Sequence, residues 1–374
     1  MSKSGCTSTS VAGCVMRHPP LVSYVRVNTL QLANDHIAVD KLREMLGDGF
    51  SIERHEIVDD VLVLRSTTCS RSPVLPIESL EIYVDRCAAA AVMRGAHLYV
   101  AGILGSNANF TTDDPCSLWM DLTGTVLRGH KKSVDDDKKV WLGNGQVLVD
   151  RTDVFGDDAK KIEGIGVRLD HRVWPNPSLH ALETSVWAVA QHLPSAITVQ
   201  ILDPQPGDRV LDMCAAPGHK STHIAALMKH RGTLVCIDRH HPRVRQLRQT
   251  LARLGATNAE VVKADSTKIV MYDGNSISYE HKVAFPAASF DRILLDAPCS
   301  GLGQRPLTNP VVADKELAAH VSLQRRLIAS AIELLRDDGV LVYSTCTLNQ
   351  GENEQQVDWL LKRWKNMRLS DKSH

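Results

Sequence analysis

Five short runs rich in valine, isoleucine and leucine constrain this chain more than any other feature: RVLDMC, TLVCID, AEVVKAD, FDRILLDAPC and GVLVYSTC. Segments of helical character separate them, namely HKSTHIAALMKH, HPRVRQLRQTLARLG and DKELAAHVSLQRRLIASAIELLR. Apolar strands alternating with helices are the signature of a doubly wound parallel sheet whose faces are both covered. An α/β unit of this kind is predicted over residues 171–374. With 374 residues the chain exceeds the usual size of one core, so further domains are expected upstream.

Residues 17–79 hold VSYVRVNTL, DHIAVDKLREML and DDVLVLR, which read as strand, helix and strand in a small α/β segment. Residues 80–170 change style to AHLYVAGIL, SLWMDLTGTVLRG, KVWLGNGQVLV and GIGVRLD, short strands between turns. The NG of GNGQV and the surrounding glycines punctuate a compact β-rich module. The charged run at 130–139 reads as an exposed loop, and residues 1–16 as a loose leader without the apolar core of a secretory signal.

No apolar run approaches the roughly 18 residues of a membrane span. Nine cysteines form no CxxC pair, which argues against a zinc site or a disulfide framework and for a reducing, cytoplasmic setting. Formal net charge is zero, so any contact with nucleic acid must come from local patches.

A doubly wound sheet binds ligands beyond the carboxyl ends of its strands. There the first strand runs into CAAPGHKST, Cys214 to Thr222, a tight turn opening a helix. The second and third strands lead to Asp238 and Asp265. The turn lacks GxGxxG, so a nicotinamide site is disfavoured. Acids that can take ribose hydroxyls, beside a turn of small residues, suit S-adenosylmethionine.

The fourth strand ends at Asp296 with Cys299 three residues later, and the fifth leads to Cys346. One isolated thiol is usually inert core. Two thiols flanking an aspartate on one sheet edge have a chemical reason to be there. Carbon 5 of cytosine accepts a methyl group only after a thiolate has added to carbon 6; an acid then steadies the ring and a base removes the proton from carbon 5.

LDMCAAPGHKSTH, RILLDAPCSG and VYSTCTLNQGENE resemble the signature motifs of the NSUN (Fmu-type) RNA cytosine-C5 methyltransferases. VMRGAHLYVAGI and LGNG, inserted before DPQPGD, resemble the PUA domain of the family's PUA-containing member. The resemblance implies a Rossmann-like methyltransferase domain with an inserted PUA domain. It implies that Cys346 is the nucleophile and that Cys299 assists proton removal and release. Asp296, aided by Lys220, would hold the cytosine edge. Cys214, Ala215, Ala216, Pro217, Gly218, His219 and Lys220, with Asp238, Asp265 and Asp296, would line the S-adenosylmethionine site. Arg94, Tyr99 and Arg128 match positions that hold RNA. The implied substrate is tRNA, through its acceptor stem and CCA end, with CCA-bearing messenger RNA as a second class; no metal or membrane is implied.

The sequence departs from the family at two places. His219 stands where glycine is usual, which is costly if that backbone needs positive φ. The family's sheet also continues beyond the helix ENEQQVDWLLKRW, so the strand leading to Cys346 is expected to form an edge in a C-terminally shortened domain. The alternative function is a catalytically weakened or inactive homologue that still binds tRNA.

Overall fold

The computed structural model describes residues 16–32, 34–67, 79–156, 163–271, 283–308 and 312–370. Nearly all of the expected leader lies outside them. The chain begins with β1 (Val22–Val27), α1 (Asp35–Leu46), β2 (Phe50–Arg54) and β3 (Val61–Ser66). Asn34 opens α1 by accepting the His36 N–H, which satisfies one orphan donor of the first turn. The strand β2 adds to the strand, helix, strand expectation. Its five residues FSIER offer too short an alternation to stand out, but all five pair with β3.

A second unit comprises β4 (Glu81–Val84), α2 (Arg86–Met93), β5 (Leu98–Tyr99), β6 (Ile103–Ser106), β7 (Pro115–Asp121), β8 (Lys139–Val147), α3 (Arg151–Phe155) and β9 (Ile165–Arg172). Its six strands lie in the order β5-β9-β8-β7-β4-β6 around a separate core containing Ile82, Leu118, Leu142 and Val167. The Asn144–Gly145 pair, expected at a turn, lies inside β8, where the register slips between these two residues. A Cβ on Gly143 would sit 2.3 Å from the His171 carbonyl oxygen, and one on Gly145 2.2 Å from that of Arg168. These glycines permit close approach of the neighbouring strand, a role distinct from chain reversal. Most of 130–139 is exposed, but the Lys139 ammonium is buried, 2.6 Å from Glu81.

The chain then returns to the first sheet. Strand β10 (Ala188–Ala190) pairs with β1, Val25 opposite Ala190, and the order becomes β10-β1-β3-β2. By sequence these residues fall in the stretch assigned to the C-terminal unit; by pairing they complete the N-terminal sheet.

The remaining elements are α4 (Leu193–Leu202), β11 (Arg209–Asp212), α5 (His219–Leu227), β12 (Thr233–Asp238), α6 (His241–Leu254), β13 (Ala259–Lys263), the small pair β14 (Val270–Met271) and β15 (Phe285–Pro286), β16 (Phe290–Asp296), α7 (Asp314–Leu334), β17 (Leu335–Ser344) and α8 (Glu354–Arg363). Five parallel strands run in the order β13-β12-β11-β16-β17. Val210, Leu234, Cys236, Leu294 and Val342 share one core with residues of α4, α5 and α6. Leu211, Val235, Ile237, Ile293 and Leu295 share the other with α7 and α8. Covering both faces is why the central strands β11, β12 and β16 are apolar on successive residues, whereas the edge strand β13 carries exposed Glu260 and Lys263. Strand β17 forms an edge, and the order reverses between β11 and β16, so a ligand crevice is expected at their carboxyl ends.

The N-terminal sheet is tied to the start of α5 from below. Arg26 on β1 is fully buried; its Nε donates to Gln191 Oε1 at 2.7 Å and its Nη2 to Thr222 Oγ1 at 2.9 Å. His223 Nε2 lies 3.0 Å from Asp60 Oδ2.

Candidate active site

Strand β11 ends at Asp212, and Met213 to Gly218 turn the chain into α5. The Ala216–Pro217 peptide is cis, and Gly218 takes φ +107°, a region that favours glycine. Ala215 donates its N–H to the Ile237 carbonyl, and the Ala216 carbonyl accepts from Arg243 at 2.6 Å. Beneath the turn, burial pushes the Asp212 carboxyl up to about 7, although Ser221 donates to it at 2.7 Å. Burial, and then the nearby Asp212, raise the Cys214 thiol, which suits a small apolar group better than a nucleophile.

A cavity opens at this sheet edge, lined by Cys214, Asp238, Arg243, Asp265, Ser266 and Pro298 among others. Asp238 Oδ2 lies 3.1 Å from Arg243 Nε, and its Oδ1 accepts the His240 N–H. Asp265 Oδ1 accepts both the N–H and the hydroxyl of Thr267. Asp296 and Lys220, expected beside the cofactor, do not line this cavity; they pair with each other, Lys220 Nζ reaching Asp296 Oδ2 at 2.7 Å, and the Ser344 hydroxyl reaches its Oδ1 at 2.8 Å.

The pairing of β16 with β17 places Asp296 opposite Ser344. Cys299 and Cys346 follow in the two adjoining loops, and their sulfurs are 3.2 Å apart. Gln304 Nε2 is 3.2 Å from Cys346 Sγ, and the Cys346 N–H donates to Cys299 Sγ at 3.3 Å. The hydrogen bond from Cys299, aided by the Gln304 amide and opposed by partial burial, brings Cys346 down to about 6. Cys299, the other member of the pair, is raised in turn by the contact with Cys346 and by burial. One thiol is therefore set to carry negative charge and its neighbour to hold a proton. Gln304 was not singled out from sequence; an amide eight residues past a strand tip carries no signal until the loop folds back.

The residues matched to RNA contacts divide. Arg94 and Tyr99 line a cavity of about 660 Å³ between the β-rich unit and the N-terminal sheet, together with His97, His180, His192 and His219. The Tyr99 hydroxyl lies 2.9 Å from His180 Nε2. Arg128 is elsewhere: its guanidinium donates to the carbonyls of Ile103 and Val154 and lies over the Phe155 ring.

His219 also differs from expectation. Positive φ belongs to Gly218, not to His219, so the anticipated backbone cost does not arise. Its side chain lines the larger cavity and not the one beside Asp238. Burial, and then Arg26, Arg253 and Lys220, push its imidazole down to about 4. A base kept neutral by folding binds fewer protons folded than unfolded between these pKa values. Its contribution to stability is complete above about 6.5 and disappears as the pH falls to about 4, a loss of up to roughly 3 kcal/mol. The melting temperature of the protein should therefore drop across this window more steeply than that of His219→Asn. Parallel curves for the two proteins would remove His219 from the account.

Among the described residues no group of three or more His, Cys, Asp or Glu side chains could hold a metal ion, and no helix is long and apolar enough to cross a membrane.

With this geometry in view, residues 199–374 match the family described as 16S rRNA methyltransferase RsmB/F. The chain is 37% identical over 358 residues to the mouse (Mus musculus) tRNA (cytosine(72)-C(5))-methyltransferase NSUN6, covering 95% of this chain and 74% of that protein. The human (Homo sapiens) counterpart is also 37% identical, with 95% and 75% covered. Among solved structures, NSun6 from Pyrococcus horikoshii with SFG superimposes with a TM-score of 0.75 at 29% identity, covering 94% of this chain and 82% of that one.

Proposed function

The chain belongs to the NSUN (RsmB/F-type) family of S-adenosylmethionine-dependent RNA cytosine-C5 methyltransferases, and from that premise we propose that it methylates a cytosine near the 3′ end of the tRNA acceptor stem through Cys346. The observation that carries the chemistry is the thiol pair: two sulfurs 3.2 Å apart beside a Lys220–Asp296 ion pair.

The acceptors at the ends of β12 and β13 suit the ribose of S-adenosylmethionine. A carboxylate offers about four lone-pair sites, so Asp238 and Asp265 retain acceptor capacity beyond the contacts they make within the protein. They would hold the ribose and adenine, and the Cys214–Gly218 turn would lie along the amino-acid end. When bound, the cofactor supplies the methyl group that carbon 5 receives.

This chain's residues do the rest. Cys346 Sγ forms a bond to carbon 6 of the cytosine, and the electron pair of the 5,6 double bond moves onto carbon 5 and the ring. Asp296 holds the base edge, and the Lys220 ammonium beside it favours the negative charge that builds on the ring. After methylation the proton on carbon 5 is removed with the help of Cys299, the double bond re-forms, and the bond to Cys346 breaks to release the thiolate.

For the substrate, the support is the tRNA activity for which the relatives are named, together with the Arg94 and Tyr99 cavity. Phosphate contacts position an RNA and aromatic rings stack on unpaired bases. The β-rich unit thus acts as a PUA-like module for the CCA end, and CCA-bearing messenger RNA would be recognised in the same way. A nucleophilic thiol has to stay reduced, which supports a cytoplasmic setting.

Transfer of a labelled methyl group to a tRNA transcript with and without CCA tests the proposal. Incorporation that falls at least about tenfold without CCA is expected. Equal incorporation would refute the role of the CCA end, and binding without incorporation would identify an RNA-binding homologue that does not turn over.

A further inference from the structure

The stretch after Cys346, NQGENE, reads as a polar start to the following helix. One of its carboxyl groups is nonetheless entirely buried. Glu352 has no exposed surface, and three donors converge on it. The Ser300 N–H and Gln324 Nε2 each reach Oε1 at 3.0 Å, and the Ser300 hydroxyl reaches Oε2 at 2.5 Å. Gln324 and Gln356 are likewise fully buried, and Gln356 Nε2 donates to Gln324 Oε1 at 3.1 Å. Gln324 also donates to the Pro298 carbonyl at 3.0 Å, at the base of the Cys299 loop.

These contacts form a directional relay. The Asn349 N–H donates to Thr347 Oγ1 at 3.2 Å, and Thr347 Oγ1 lies 2.8 Å from Ser300 Oγ. Because the single Ser300 hydroxyl hydrogen is given to Glu352, Thr347 must donate to Ser300. Ser300 follows Cys299, and Thr347 follows Cys346. The relay therefore links the residues next to the two sulfurs, while Gln324 anchors it to α7.

Burying such a group costs several kcal/mol unless every donor and acceptor is matched. An apolar side chain would fill the space at lower cost, but it could not fix two loops with directional bonds. We propose that Glu352 is a positioning residue for methyl transfer: through Ser300 and Thr347 its carboxyl group sets the separation of Cys299 and Cys346. It touches no substrate and acts only through the loops that carry the thiols. The inference rests on Cys346 being the nucleophile.

Glu352→Ala and Ser300→Ala test it. In each variant the rate of Cys346 alkylation by iodoacetamide is followed against pH by mass spectrometry, alongside kcat and KM on tRNA and the affinity for sinefungin. Loosening the pair takes away the hydrogen bond from Cys299, so the alkylation profile moves to higher pH and the rate at pH 6.5 falls about tenfold. The expected kcat falls about 100-fold, the loss typical of misplacing a reacting group by an ångström, with KM and sinefungin affinity within about twofold. A residue that merely supported the fold would lower the folded fraction without moving the alkylation profile of the folded molecules. Superimposable profiles would overturn the proposal. Where Glu352→Ala does not fold, Ser300→Ala decides on the same readout. Alkylation needs no RNA, so its outcome is separate from the proposed function, which instead fails if Cys346→Ser still methylates.

Discussion

Cys346→Ser lowers methyl transfer to tRNA by on the order of 10⁴-fold or more, with the affinities for tRNA and sinefungin unchanged. The magnitude is that of deleting a covalent nucleophile. With Cys346 held well below the ordinary cysteine value by its neighbour, its sulfur is available as thiolate near pH 7. A serine hydroxyl at the same place carries almost no alkoxide, and the oxygen is a poor match for carbon 6. The change spares the surroundings: the side chains are nearly isosteric, and the Gln304 amide keeps an acceptor. Single-turnover transfer of labelled methyl, with binding measured in parallel, checks the result. Methylation retained in the variant would end the case for Cys346.

Cys299→Ala stops turnover at a different point, leaving RNA covalently attached to Cys346 and visible as a slow band on a denaturing gel. Its pH dependence is the sharper part of the expectation. The hydrogen bond from Cys299 is the largest influence lowering Cys346. Without it the nucleophile moves toward the ordinary cysteine value of about 8.5, and its thiolate fraction at pH 7 falls to a few per cent. The adduct should therefore form slowly at pH 6.5 and much faster at pH 8.5, and then persist at both. A normal rate of turnover, or no adduct at either pH, would show that Cys299 does not serve release.

The five-stranded sheet was legible because burial on two faces leaves an unmistakable record in sequence: Val210, Leu211, Leu294 and Leu295 are inside whichever way they point. The thiol pair was legible for a related reason, since two strand tips that are neighbours in a sheet must bring their loops together. Other features depend on long-range return of the chain. Nothing in AVA marks β10 as a partner of β1. The glycines of LGNG look like a turn until a strand is found against each of them. Glu352 looks solvated because its partners, Ser300 and Gln324, are 52 and 28 residues away. His219 appeared as a defect in a cofactor turn, since sequence cannot say which side of α5 its ring will face.

The pairing of Val25 with Ala190 has a temporal consequence. The ends of this contact are separated by the whole β-rich unit, so closing it in an extended chain would carry a large loop entropy. Compaction of that unit, whose own contacts are nearer in sequence, shortens the loop first. During synthesis β1 must therefore wait with one edge open until residue 190 has left the ribosome, the kind of exposed strand on which chaperones act. The sheet that the insertion interrupts can thus be completed only after the whole insertion has been made.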